Sequence, residues 1–188
     1  MMCWAGLVDG KVILHWFDEG SVNQWVYLDM LENVVWSEIR SVNTRRNYFF
    51  KHDCVTAHTT LMVRDWLLWT FGDRIISRHT SIPWWAKSPD LSTLDFWFWY
   101  VCLAELRRNP PSSIQELVDT VEYCLASLEK DVIIRACRDI LPRAAACMEC
   151  SWGAFEYKLK KIKCSSTGLV NEELCKESTK GFQKICCS

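Results

Sequence analysis

Asp53 and Asp95 are the residues whose type and setting point to chemistry. Tyr48-Phe49-Phe50 reads as a short aromatic strand running into Lys51-His52-Asp53, which puts an acid at a strand's carboxyl end. Ser92-Thr93-Leu94-Asp95 has capping-box spacing ahead of an apolar helix over Phe96–Leu106, which puts Asp95 in a first helical turn. The two acids are separated by 41 residues. Carboxylates gathered from distant parts of a chain are what two-metal phosphoryl chemistry needs, because hard oxygen ligands must hold two divalent cations about 3.5–4 Å apart. Taken alone, the pair is better read as a strand-end Asp bonding its own loop and an Asp capping a helix. Around the two acids stand His58, in the loop that opens the next helix, and Lys87 and Asp90, in the loop before Ser92. Lys87 reads either as a phosphate contact or as a solvated lysine, and His58 either as a structural or as a functional histidine.

The elements that must position these residues follow from periodicity and turn chemistry. Trp4 to Phe17 predicts a hairpin around Asp9-Gly10. After the polar stretch Asp18 to Asn23, Trp25, Leu28, Leu31, Val34 and Val35 recur at helical spacing and predict a helix over about 23–40. A second helix over Thr59–Thr70 closes near Gly72, and Ile75-Ile76-Ser77 is a brief strand. The stretch Pro83–Asp90 reads as a loop, since its two prolines restrict the residues before them. Pro110-Pro111 ends the apolar helix, Ser112 or Ser113 caps the next one, and a further helix covers about 129–150.

Composition narrows the class. A chain of 188 residues, 49% hydrophobic, can bury a core of one domain. The net charge of −1 excludes a polycation. Residues 158–188 hold seven Lys and three Glu, leaving −5 on residues 1–157, so a nucleic-acid contact by the body would have to rest on local patches. The eleven cysteines sit among long apolar periodic stretches without a signal peptide, which favours reduced thiols over a disulfide scaffold. The longest apolar run, Phe96–Ala104, is about half of what a membrane span needs. Cys147-Met-Glu-Cys150 with Cys164, Cys175, Cys186 and Cys187 is a weak zinc pattern, since no second pair has the right spacing.

An ordered series of local motifs adds a resemblance. Trp4-Ala-Gly-Leu with Gly10-Lys-Val-Ile, Tyr48-Phe-Phe-Lys-His-Asp53-Cys-Val-Thr-Ala-His58, Val63-Arg-Asp-Trp-Leu67 and Ser88-Pro-Asp-Leu-Ser-Thr-Leu-Asp95-Phe-Trp-Phe-Trp99 resemble, in order, the catalytic domain of Tc/mariner-family DNA transposases over residues 4 to about 157. Arg143-Ala-Ala-Ala-Cys147 and Trp152-Gly-Ala-Phe-Glu156 stand near the family's C-terminal pattern. The resemblance implies an α/β, ribonuclease-H-like mixed sheet flanked by helices. It implies Mg²⁺ or Mn²⁺ as cofactor, DNA as partner, a nuclear location and a possible homodimer. It makes Asp53 the second and Asp95 the third metal-binding acid, gives His58 a supporting or DNA-facing role, and leaves Asp90 to order its loop.

Two departures, Cys54-Val55-Thr56 for a Gly-Ala-Pro type and Thr93 for Pro, look like drift. The family's first acid lies on a central strand just before the segment that begins here at Trp4, and a helix-turn-helix DNA-binding region precedes that strand. Asp9, Asp18 and Asp29 do not fit the first acid's position. The expectation is therefore a partial catalytic domain over 1–157, lacking its first strand and inactive in transposition by itself, with a poorly ordered lysine- and cysteine-rich tail over 158–188. The alternative is a non-catalytic fragment that holds DNA or protein.

Overall fold

The structure, a computed structural model, describes residues 1–17, 20–42, 48–84, 88–151 and 159. The described residues divide into two compact units, one made of Met1–Val8 and Val12–Ser88, the other of Asp9–Lys11 and the chain from Pro89 onward. The tail over 158–188 and the motif at 152–156 lie outside the described residues, apart from Leu159.

In the first unit, β1 (Met2–Val8) and β2 (Lys11–Phe17) form the expected hairpin. Asp9 and Gly10 adopt φ of 48° and 76°, the paired positive values that let a two-residue turn match the twist of its strands. Asn23 then caps α1 (Gln24–Met30), its side-chain oxygen accepting from the Trp25 and Val26 N–H groups at 2.9 and 3.1 Å. The helix predicted over 23–40 continues through a π-helical turn, Leu31–Val35, into α2 (Trp36–Val42). Tyr27, Met30, Leu31, Val35 and Ile39 are buried along it.

The aromatic strand predicted over 48–50 is displaced. Tyr48 and Phe49 precede the sheet, and β3 is Phe50–Lys51. It lies parallel to β4 (Ile75–Ser77), which lies parallel to β5 (Ile82–Pro83), in the order β3-β4-β5. Pro83, expected in a loop, is tolerated because β5 is an edge strand, where a missing N–H leaves no ladder bond unmade. Between β3 and β4, α3 (Leu61–Phe71) ends at Gly72, whose φ of 61° stops the helix while its N–H donates to the Leu68 carbonyl at 2.9 Å. Val63, Leu67, Phe71 and Ile75 bury against Tyr27, Leu31 and Phe50 in one apolar cluster.

The second unit is helical beyond Pro89. A 3-10 turn (Pro89–Leu91) and a π-helical turn (Leu94–Phe98) lead into α4 (Trp99–Arg108). The capping box expected at Ser92 is not made by side chains: the Ser92 carbonyl accepts from the Asp95 and Phe96 N–H groups at 3.0 and 2.9 Å. The next helix does carry side-chain caps of this kind, with the acid reaching one residue before the N-cap. Ser113 Oγ accepts from the Glu116 N–H at 3.1 Å, and the Glu116 carboxylate accepts from the Ser112 N–H at 2.7 Å, opening α5 (Ile114–Ala126). Ser112 holds the Glu116 carboxyl below its usual value, mainly through its hydroxyl and then through its N–H.

The single helix predicted over 129–150 is two, α6 (Lys130–Arg138) and α7 (Ile140–Glu149). Pro142 explains the break: it has no N–H for the carbonyl of Arg138, and its ring would collide with that carbonyl in a continuous helix. Arg143, only 7% exposed, lies over the Phe96 ring with its guanidinium carbon 4.2 Å from the centroid. Among the described residues no two cysteines form a disulfide, and no helix is long and apolar enough to cross a membrane.

Candidate active site

The ladder of the parallel sheet ends at His52, whose N–H donates to the Ile76 carbonyl at 3.3 Å. Asp53 therefore stands directly outside the carboxyl end of β3, the region where open α/β sheets bind ligands. Its Oδ1 accepts from the Val55 N–H at 3.2 Å, a side-chain-closed turn that reverses the chain. The Val55 carbonyl then accepts from the His58 N–H at 3.0 Å, and the resulting 3-10 turn (Thr56–Thr59) returns the imidazole toward the acid. His58 Nδ1 lies 2.6 Å from Asp53 Oδ1. An ionised Asp53 only accepts, so Nδ1 carries the hydrogen of this bond.

The two partners differ in exposure. The His58 side chain is 1% exposed and that of Asp53 29%, so the acid reaches solvent while its support is sealed in the core. Tyr27, from α1, stacks on His58 with ring centroids 4.0 Å apart and planes 26° apart. His52 stacks on the same ring at 5.4 Å and 9°, and the Tyr27 hydroxyl lies 3.4 Å from His52 Nδ1. Burial first, and the neighbouring His58 second, push His52 down to about 3 against the opposing pull of Asp53. His52 is therefore neutral at physiological pH. Beside the acid, Lys51 Nζ lies 3.6 Å from the centroid of the Trp84 ring, and Cys54 Sγ donates to the Trp84 carbonyl at 3.2 Å.

An oriented, partly exposed carboxylate is a hard oxygen donor, and this chemistry fits Mg²⁺ or Mn²⁺ rather than a soft metal. Among the described residues no group of three or more His, Cys, Asp or Glu side chains is arranged to hold a metal ion.

Asp95 belongs to the second unit, in the first turn of the helical segment that begins at Leu94, as expected. It is partly exposed, and its N–H is fixed by the Ser92 carbonyl. Asp90 sits one turn earlier, in Pro89–Leu91, where the Ser92 N–H donates to the Pro89 carbonyl at 3.0 Å. Lys87 lies outside the described residues. The structure thus brings Asp53 and His58 into direct contact and sets Asp90 and Asp95 on successive turns of the other unit.

Two residues that support the acid escape a reading of the sequence. Tyr27 is one apolar position on a helix distant in sequence, with no spacing relation to Asp53, and nothing short of the fold discloses it. His52 adjoins the acid, and its burial rests on the strand ending one residue later than its aromatic pattern implies.

The fold agrees with known transposase catalytic domains. The Mos1 transposase catalytic domain determined with raltegravir and Mn superposes with a TM-score of 0.69 at 21% identity, over 81% of this chain and 76% of that one. The catalytic domain of Mos1 mariner transposase gives 0.67 at 20% identity, over 81% and 74%. The Mos1 mariner paired end complex with Mn gives 0.68 at 21% identity over 78% of this chain, which spans 42% of that chain's length. No protein-family model matches the sequence, and no curated protein matches it. At this identity the likeness establishes the fold: a ribonuclease-H-like α/β arrangement of a small parallel sheet with flanking helices, as the motif resemblance implied.

Proposed function

We propose that this chain derives from a cut-and-paste DNA transposase of the Tc/mariner type, with metal-dependent DNA strand cleavage and transfer as its ancestral chemistry. The observation that carries the reading is Asp53, held by His58 at the carboxyl end of a parallel strand in a fold shared with the Mos1 catalytic domain. Asp53 and Asp95 each supply a carboxylate for Mg²⁺ or Mn²⁺. Such a cation, when bound, stabilises the charge on attacking and leaving phosphate oxygens. The protein's own part is to present oriented carboxylates. DNA as partner, a nuclear location and pairing with a second copy belong to the same proposal.

The test is supercoiled plasmid with Mn²⁺ and the full chain, beside Asp53→Ala and Asp95→Ala. The expected result is slow nicking lost in both variants. Plasmid retention without any nicking, equal in all three proteins, favours a second reading as a non-catalytic binding fragment. That reading draws on the exposed aromatic side chains of Trp69 and Trp25, 84% and 64% exposed.

A further inference from the structure

We propose that His58 is the positioning residue of Asp53: a buried stack of His52, His58 and Tyr27 sets the plane of the His58 ring, and that ring fixes the carboxylate for metal binding. The inference rests on the reading of Asp53 as a metal ligand and adds what orients it. Three observations bear on it together. The contact is short, 2.6 Å from Nδ1 to Oδ1, as expected of a charge-assisted bond. The imidazole is 1% exposed, so it serves no ligand in solvent directly and acts only through the acid it touches. Its plane is fixed by rings from two other segments, Tyr27 of α1 at 4.0 Å and His52 at the end of β3 at 5.4 Å.

The logic is that of a strand-end acid. Asp53 follows the last ladder bond, so regular backbone pairing no longer holds it, and the Val55 N–H reaches Oδ1 from within the acid's own loop. The His58 ring donates to the same oxygen with a direction imposed from the core, which restricts the rotation of the carboxylate. Histidine suits this task because Nδ1 reaches back along its own side chain while the ring face remains available for stacking. Partners of this kind typically contribute 10–100-fold to metal affinity by orienting the ligand.

The experiment is Mn²⁺ binding to the full chain, followed by the loss of the free-ion electron paramagnetic resonance signal, for the wild type, Asp53→Ala, His58→Phe and His58→Asn. Phe keeps the stacking face without the donor, and Asn restores a donor near the position of Nδ1. The expected result is binding lost in Asp53→Ala, weakened at least about 10-fold in His58→Phe, and returned to within a few-fold of wild type in His58→Asn. A folded His58→Phe that binds Mn²⁺ as tightly as wild type overturns the positioning role while leaving the metal reading intact. No binding in wild type, or equal binding in Asp53→Ala, overturns the metal reading itself. Should His58→Phe fail to fold, the imidazole ¹H–¹⁵N spectrum of the metal-free wild type decides the clamp: His58 protonated at Nδ1 supports it, and a tautomer with hydrogen only on Nε2 overturns it.

Discussion

Asp53 and Asp95 are both carboxylates at the start of a turn, yet the two units hold them by different means. Asp95 sits in a helical first turn, where its N–H and that of Phe96 are bonded to the Ser92 carbonyl, so main-chain bonds place its backbone. Asp53 sits past the end of a two-residue strand and depends on side chains, His58 directly and Tyr27 and His52 behind it. A side-chain-held acid ties its orientation to the packing of a core, and the four expectations below probe that dependence, beginning with the largest.

Tyr27 joins the core to the acid, with no exposed surface and its ring on His58. Tyr27→Ala should cost about 3–5 kcal/mol, the range for removing a fully buried aromatic side chain. Tyr27→Phe should cost much less, because it keeps the buried ring that stacks on His58. Urea denaturation of the two variants measures both. A small loss in Tyr27→Ala would mean that the stack is an ornament of the core rather than part of it, and the contrast with Asp95 would collapse.

Acid sensitivity comes next. His52 is neutral in the fold down to about pH 3, whereas in the unfolded chain it takes up a proton near pH 6.5. Above 6.5 it is neutral in both states and contributes no pH dependence. Between 6.5 and 3 only the unfolded chain binds the proton, so stability falls by about 1.4 kcal/mol per pH unit. From pH 7 to pH 5 this single group should remove about 2 kcal/mol. His52→Phe should flatten that part of the slope, and denaturation midpoints at the two pH values decide it. An equally steep fall in the variant would assign the sensitivity to other groups.

The same distinction explains what the sequence discloses. Local chemistry was legible: Asp9-Gly10 as a hairpin turn, Gly72 as a helix stop, Ser113 as a cap and the acid after an aromatic strand each depend on residues within a few positions. Asp53 and His58 were legible as one motif because they are five residues apart. Tyr27 was not, since its role arises from packing across distant elements. The boundaries that moved did so for stated reasons. Pro142 divides one periodic stretch into two helices, because amphipathic spacing continues through a break in hydrogen bonding. Strand β3 begins at Phe50 rather than Tyr48, because its partner β4 offers only Ile75–Ser77 to pair with. The Ser92 cap was misread because capping-box spacing reports residue types, while the bond there is made by a carbonyl that any residue carries.

That last misreading yields the two smallest predictions, both within the second unit. Ser113 caps α5 through its hydroxyl, so Ser113→Ala should cost about 1 kcal/mol. Ser92 opens the segment that carries Asp95 through its carbonyl alone, which alanine also has, so Ser92→Ala should stay within about 0.5 kcal/mol of wild type. The pair share a residue type, a substitution and a place before a helical turn, and differ only in whether side chain or backbone makes the bond. Parallel thermal melts of the two variants therefore isolate that variable. A cost at Ser92 matching that at Ser113 would show that the turn bearing Asp95 also leans on a side chain, and the two acids would then be held in the same way.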